Sequence, residues 1–89
     1  MPVISLKVGI TPQRILVRNP DRVVFSILNY SSYDVYVGYD KNVSTTGKTK
    51  GILVKANGGG MEDEYHKGEV WAIATAETEI TVVEVSRGE

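Results

Sequence analysis

The sequence has no cysteine, which excludes disulfides, thiolate nucleophiles and zinc–thiolate sites. It has a single histidine, His66, which follows the acidic residues Glu62, Asp63 and Glu64. Zinc and other transition metals draw several nitrogen or sulfur ligands, and calcium prefers a loop of alternating oxygen ligands. We therefore expect no metal at this position, and we interpret the acidic residues as the solvated end of a hairpin.

Long hydrophobic runs are also missing, because no stretch approaches the roughly 18 apolar residues of a membrane helix. The 10 basic and 11 acidic residues are mixed along the chain and sum to a net charge of −1. A nucleic-acid binder usually carries a basic stripe that neutralises phosphates. The sequence thus predicts neither a membrane nor a nucleic acid as a partner.

The patterns that carry catalysis are absent from the sequence. No serine stands in a G-x-S-x-G context, and the glycines at 58–60 lack the lysine and the following helix of a phosphate loop. A sheet domain of 89 residues rarely builds a cleft deep enough for paired catalytic carboxylates. We predict a protein that is not an enzyme, with no catalytic residue and no cofactor.

What the sequence does contain is an alternation of apolar and polar residues with period two, which is typical of half-buried strands. In one of these runs, Val23, Phe25 and Ile27 are expected to share the core face. Turn residues such as Asn19-Pro20-Asp21 separate the runs. The predicted strands cover residues 3–8, 14–18, 22–29, 33–39, 52–55, 69–75 and 79–86.

Short strands between frequent turns predict an all-β fold. We expect a single domain over residues 1–89, a small antiparallel β-sandwich of seven or eight strands. A jelly-roll-like order is one arrangement that fits, but the pattern leaves the strand order open. Residues 1–10 are a candidate assembly arm, since an edge strand presents unpaired backbone groups to a neighbour.

Several strands are apolar on both faces, which suggests that a partner covers the outside of the sandwich. The alternative is that these residues only satisfy strand propensity, since single exposed apolar residues are normal. The side chains assigned to a candidate interface are Val24, Leu28, Tyr36, Val70, Ala72, Ile80 and Val82. Trp71 is expected in the core.

The tyrosines form a second set of interest, because this side chain combines a large contact area with a polar tip. Parity places Tyr36 on one face with Asp34 and Asp40, while Tyr33 and Tyr39 are expected on the core side. An aromatic ring beside carboxylates can hold a sugar, so these three residues form a candidate glycan platform. Cross-strand packing of tyrosine is the alternative.

An ordered series of short segments adds a resemblance. The series reads Asn-Pro-Asp-Arg at 19–22, Ser-Ile-Leu-Asn at 26–29, Val-Tyr-Val-Gly-Tyr at 35–39, Val-Ser-Thr at 43–45, Gly-Ile-Leu-Val at 51–54 and Gly-Glu-Val-Trp-Ala-Ile at 68–73. It resembles small β-structured virion proteins of tailed bacteriophages and related prokaryotic viruses. The acidic residues 62–64 depart from that pattern. The resemblance implies a structural role and oligomers, often trimers, with no active site.

Taken together, the pattern and the resemblance predict a non-enzymatic viral structural protein. We expect it to decorate a capsid or to form part of a head fibre or tail, with itself and other virion proteins as partners. Its expected location is the virion, and the host cytoplasm during assembly. The alternatives are a carbohydrate- or ligand-binding β-module and a cellular protein–protein interaction domain.

Overall fold

The computed structural model describes residues 3–88, and Met1, Pro2 and Glu89 lie outside the described part. Within it the chain forms eight strands and a short 3-10 helix, Gly47–Thr49. The strands are β1 (Val3–Val8), β2 (Gln13–Leu16), β3 (Arg22–Asn29), β4 (Val35–Gly38), β5 (Ile52–Val54), β6 (Gly59–Asp63), β7 (Val70–Ala74) and β8 (Thr78–Ser86).

The strands make two four-stranded antiparallel sheets, with the orders β1-β8-β3-β6 (sheet A) and β2-β7-β4-β5 (sheet B). Every connection except β4–β5 carries the chain from one sheet to the other. Eight strands in two opposed sheets with this order form a jelly roll, which consists of two Greek keys. The all-β sandwich predicted from the sequence is therefore confirmed, and the open question of strand order is answered.

The core lies between the inner faces of the two sheets and is almost entirely aliphatic. Phe25 and Ile27 of β3 point toward Val35 and Val37 of β4, and all four side chains are fully buried. Burial of β-branched side chains on facing pleated sheets is the main stabilising term in such a sandwich. The other buried members are Val8, Ile15, Leu16, Val54, Val70, Ala72, Ala74, Ile80 and Val82.

Two strands have the opposite parity to the one predicted. Val70, Ala72, Ile80 and Val82 were assigned to an outer interface, but the structure buries all of them in the core. Conversely Trp71, expected in the core, lies on the outer face of β7 and is half-buried. The reason is that β7 and β8 are apolar on both faces, so that period two alone does not show which set points inward.

A bulge in β3 explains a further error. The pairing of β3 with β8 shifts register between Arg22 and Val24. An extra residue in a strand reverses the parity on one side of the bulge. Val23 was placed with Phe25 on the core face, but it is 47% exposed, whereas Arg22 is 1% exposed.

Strand β6 was not predicted, because its glycines resemble a flexible connection. The connection itself is the turn before β6, where Asn57 has φ 63° and Gly58 has φ 111°. These positive φ values suit asparagine and glycine. A Cβ on Gly59 would lie 2.4 Å from the carbonyl oxygen of Lys55, so the tight turn requires glycine there. Glu62 and Asp63 are the last two residues of β6, which is an edge strand of sheet A, and Glu64 follows the strand.

Candidate functional site

Strand β1 forms one of the two edges of sheet A. This strand pairs only with β8, over the full register from Val3↔Val83 to Val8↔Thr78. In an antiparallel strand alternate residues exchange hydrogen bonds with one neighbour, so every other residue of β1 directs its N–H and C=O outward. Residues 3–8 of the proposed arm are therefore an edge strand of the chain's own sheet, while Met1 and Pro2 lie outside the described residues.

The side chains along β1 do little to protect this edge. Val3 is 61% exposed and Ile4 is 44% exposed. The strand has one charged residue, Lys7, with no proline and no shift of register against β8. Natural sheets usually blunt a long edge with several charges, a proline or a bulge. The β1 edge is thus a surface on which another strand can be added.

The outer face of sheet A keeps two of the predicted interface residues accessible. Val24 and Leu28 of β3 are half-buried and point away from the core. Val24 lies opposite Val85, and the next outward residue of β8, Val83, lies opposite Val3. A strip of valines therefore leads from the middle of sheet A to the β1 edge, which makes this face and this edge one continuous surface.

The outer face of sheet B holds the third accessible residue of the predicted interface. Tyr36 is half-buried and stands between Leu53 of β5 and Ile73 of β7 in the same cross-strand row. The Nζ atom of Lys50 lies 5.6 Å from the centre of the Tyr36 ring, within the range of a cation–π contact. The tyrosine ring is therefore engaged by its own chain.

The three residues of the glycan platform predicted around Tyr36 each make contacts within the chain, and the platform stays a prediction. Asp34 and Asp40 lie before and after β4, a strand about 13 Å long at roughly 3.3 Å per residue. The Asp34 carboxylate accepts the N–H of Ala56 at 2.9 Å, and that of Asp40 accepts the N–H of Asn42 at 2.8 Å. Both carboxylates thus accept a backbone N–H of a neighbouring connection. Tyr33, expected on the core side, is exposed instead.

A buried arginine joins three parts of the chain at one end of the sandwich. The Arg22 guanidinium donates from Nε to Glu84 at 2.8 Å and from Nη2 to the carbonyl oxygen of Val17 at 2.7 Å. Its Nη1 donates to the carbonyl oxygens of His66 and Gly68 at 3.0 and 2.9 Å. Because this geometry satisfies acceptors from the β2–β3 turn, the β6–β7 loop and β8, Arg22 has a structural role.

A buried asparagine, Asn29, joins separate parts of the chain at the opposite end of β3. The Asn29 amide donates to the carbonyl oxygens of Tyr33 at 2.7 Å and Val54 at 3.0 Å. Its Oδ1 accepts the backbone N–H of Ser31 at 3.0 Å. The side chain is fully buried, so these bonds replace all contact with water. Asn29 thereby fixes the β3–β4 loop against the end of β5.

The only histidine belongs to a polar cluster on the β6–β7 loop. The rings of His66 and Tyr39 stack with their centres 4.0 Å apart, and the Tyr39 hydroxyl donates to Asp63 at 2.5 Å. Asp63 also accepts the backbone N–H groups of Tyr65 and His66. A His66 ring nitrogen lies 2.8 Å from the carbonyl oxygen of Glu69. Within residues 3–88 no group of three or more His, Asp or Glu side chains is arranged to hold a metal ion.

The contacts in this cluster raise the pKa of Tyr39 and lower the pKa of Asp63. Burial, followed by the hydrogen bond to Asp63 and its charge, raises the pKa of Tyr39 from 10.0 to about 12. The same hydrogen bond holds the pKa of Asp63 below its usual value of 3.8. A raised tyrosine pKa stabilises the fold below pH 10, and this contribution is lost as pH rises through about 12. The lowered carboxyl pKa acts in reverse, and its contribution is lost on acidification.

Removal of the Tyr39 hydroxyl in Tyr39→Phe is expected to abolish the ionisation that occurs near pH 12. In an alkaline titration followed by ultraviolet absorbance, the wild type should show one phenol that ionises near pH 12. The variant should lack that step. In Asp63→Asn the step should move to lower pH, because the negative charge that opposes phenolate formation is gone. A Tyr39→Phe curve that keeps the step near pH 12 would contradict the assignment.

No helix within residues 3–88 is long and apolar enough to cross a membrane.

The comparisons with known proteins give no family: no protein-family model matches the chain, and no curated protein and no solved structure matches it.

Proposed function

We propose that this chain is a non-enzymatic structural protein of a virion, a β-sandwich that associates with itself and with other virion proteins. The observation that carries the proposal is the unprotected β1 edge, which continues into the valine strip on sheet A. A surface with free backbone groups and apolar side chains is suited to strand addition. The site of action is then the particle, after assembly in the host cytoplasm.

The jelly-roll order supports the virion role, because jelly rolls are a common architecture of capsid domains. The same fold also occurs in lectins and in enzymes, so the fold alone does not select a function. The resemblance of the segments at 19–22, 26–29, 35–39 and 51–54 to small phage virion proteins favours the structural role.

The solution mass of the purified protein, measured by light scattering after size exclusion, tests self-association. A two-fold contact of β1 with the β1 of a second copy gives a dimer, whereas a head-to-tail contact of β1 with the partner's β6 closes into a ring such as a trimer. Either mass supports the proposal. A monomer at all concentrations contradicts self-association.

The variant Val3→Lys tests whether β1 forms the contact, because Val3 is exposed on the outer face of this edge strand. A charge on an edge strand opposes strand addition, so we expect the oligomer to dissociate into monomers. The matched control is Leu53→Lys, which places the same charge on an exposed apolar position of β5, the edge strand of the other sheet. An oligomer that survives Val3→Lys but dissociates in Leu53→Lys would move the interface to sheet B.

The genes that flank the coding sequence test the virion assignment independently. Neighbouring portal, capsid or tail genes support it. A neighbourhood of cellular metabolic or signalling genes contradicts it and favours a cellular protein–protein interaction domain, which would use the same β1 edge.

A further inference from the structure

A groove of about 840 Å³ crosses one end of the outer face of sheet A, where β1 ends and β8 begins. Its volume lies in the range of ligand pockets in proteins. The side chains that matter for the argument are Lys7, Gln13, Tyr30, Glu77, Glu79 and Thr81. None of them belongs to the Arg22 clamp, the Asn29 network or the Tyr39 cluster.

An aromatic ring stands open at this groove. Tyr30 follows directly after β3 and is 70% exposed. The register pairs Lys7 with Glu79 and pairs Leu28 with Thr81, so that Tyr30 lies at the same level of the sheet as Glu79. A flat ring therefore lies beside a carboxylate, an ammonium group and a hydroxyl on one face of the sheet.

We propose that this groove binds a short neutral oligosaccharide. A sugar has an apolar C–H face that can pack on an exposed tyrosine ring, and a rim of hydroxyls that both donate and accept hydrogen bonds. The groove supplies the matching groups: the Tyr30 ring for the apolar face, with Glu79, Gln13 and Thr81 for the rim.

The charge of the lining selects the class of sugar. One lysine stands against two glutamates, Glu77 and Glu79, which leaves the groove with a net negative charge. A uronic or sialic acid would meet like charge there, whereas a neutral sugar would not. The glycan site thus differs in place and composition from the one predicted around Tyr36.

The test is a titration of the isotope-labelled protein with maltotriose, cellotriose, mannotriose and N-acetylchitotriose, followed through backbone amide signals by NMR. We expect at least one of these to give saturable shifts at β1, β8 and Tyr30. Tyr30→Ala should weaken that binding by roughly tenfold, the effect of removing an aromatic anchor. Tyr33→Ala is the control, since it removes an exposed tyrosine of the same loop that does not line the groove.

Three results overturn the proposal: no saturable shift with any of the four sugars, equal binding by Tyr30→Ala, or stronger binding of trigalacturonic acid than of the neutral sugars. Tyr30 is exposed and follows β3, which β8 separates from the β1 edge, so the solution mass of Tyr30→Ala should equal that of the wild type. The sugar site and the proposed self-association can therefore fail separately.

Discussion

Replacement of Arg22 with alanine is expected to remove a large part of the folding free energy. The change leaves the Glu84 carboxylate without its ion-pair partner and three carbonyl oxygens, those of Val17, His66 and Gly68, without the Arg22 donor. Loss of one member of a buried ion pair typically costs about 3–5 kcal/mol. Small domains have a total stability of about 5–15 kcal/mol, so the variant should be close to unfolding.

Thermal and denaturant unfolding measure this effect. For a domain of this size about 1 kcal/mol lowers the melting temperature by roughly 4–8 °C, so we expect a fall of roughly 15–30 °C. Arg22→Lys should recover little, because a compact ammonium group cannot replace a planar group that reaches four acceptors.

The matched control is Arg14→Ala, which removes an exposed ion pair to Glu69 at 3.1 Å. Exposed pairs contribute about 0–1 kcal/mol, so this variant should stay near the wild type. If the two alanine variants lost similar amounts of stability, the clamp at Arg22 would not stabilise the fold as its geometry indicates.

The sequence was sufficient to locate seven of the eight strands, all but β6, but not to assign the direction of every side chain. In β4 the inward residues Val35 and Val37 alternate with Tyr36 and Gly38 as predicted, but Tyr33 and Tyr39, predicted on the core side, lie outside the strand and are exposed. In β7 the run Val-Trp-Ala-Ile-Ala has two apolar faces, and the face with Val70, Ala72 and Ala74 points into the core. Alanines inward let the sheets pack closely, while the larger tryptophan stays at the surface.

The segments that resemble small phage virion proteins contain residues that the packing of this sandwich also requires. In the Asn-Pro-Asp-Arg turn, Asn19 bonds Ser86 at 2.8 Å and Arg22 is the buried clamp. A Cβ on Gly38 would lie 2.6 Å from the Cβ of Val43, and one on Gly51 would lie 2.7 Å from the carbonyl oxygen of Val37. These residues are therefore explained by packing of the sandwich, and they carry no reactive group.

The two candidate sites differ in how much of each could be predicted from the sequence. Residues 1–10 were a candidate assembly arm because an edge strand presents unpaired backbone groups, and the structure places residues 3–8 in an edge strand. The groove at Tyr30 was not predictable, because its lining comes from segments as far apart as residues 5–13, 30–31 and 77–81. The β1–β8 and β3–β8 pairings bring residues of the first and last of these segments together beside Tyr30.

The second large effect is expected at Asn29, where Asn29→Asp keeps the shape of the side chain but replaces its amide donor. The carboxylate would face the carbonyl oxygens of Tyr33 and Val54 in a fully buried position. Each buried carbonyl that loses its donor costs about 1–3 kcal/mol, and the buried charge adds to this. At neutral pH we expect the variant to lose at least about 3 kcal/mol relative to the wild type.

The loss in Asn29→Asp should depend on pH in a direction that Asn29→Ala cannot reproduce. Burial beside two carbonyl oxygens raises the pKa of the introduced carboxyl above its unfolded value of about 3.9. Its protonated form can donate to one of those oxygens, so the loss is smallest below about pH 4 and grows as pH rises through the raised pKa. Denaturant unfolding across this range, with the exposed Asn42→Asp as control, measures the difference from wild type at each pH. A loss that stays constant with pH in Asn29→Asp would show that the amide does not donate to these carbonyls in solution.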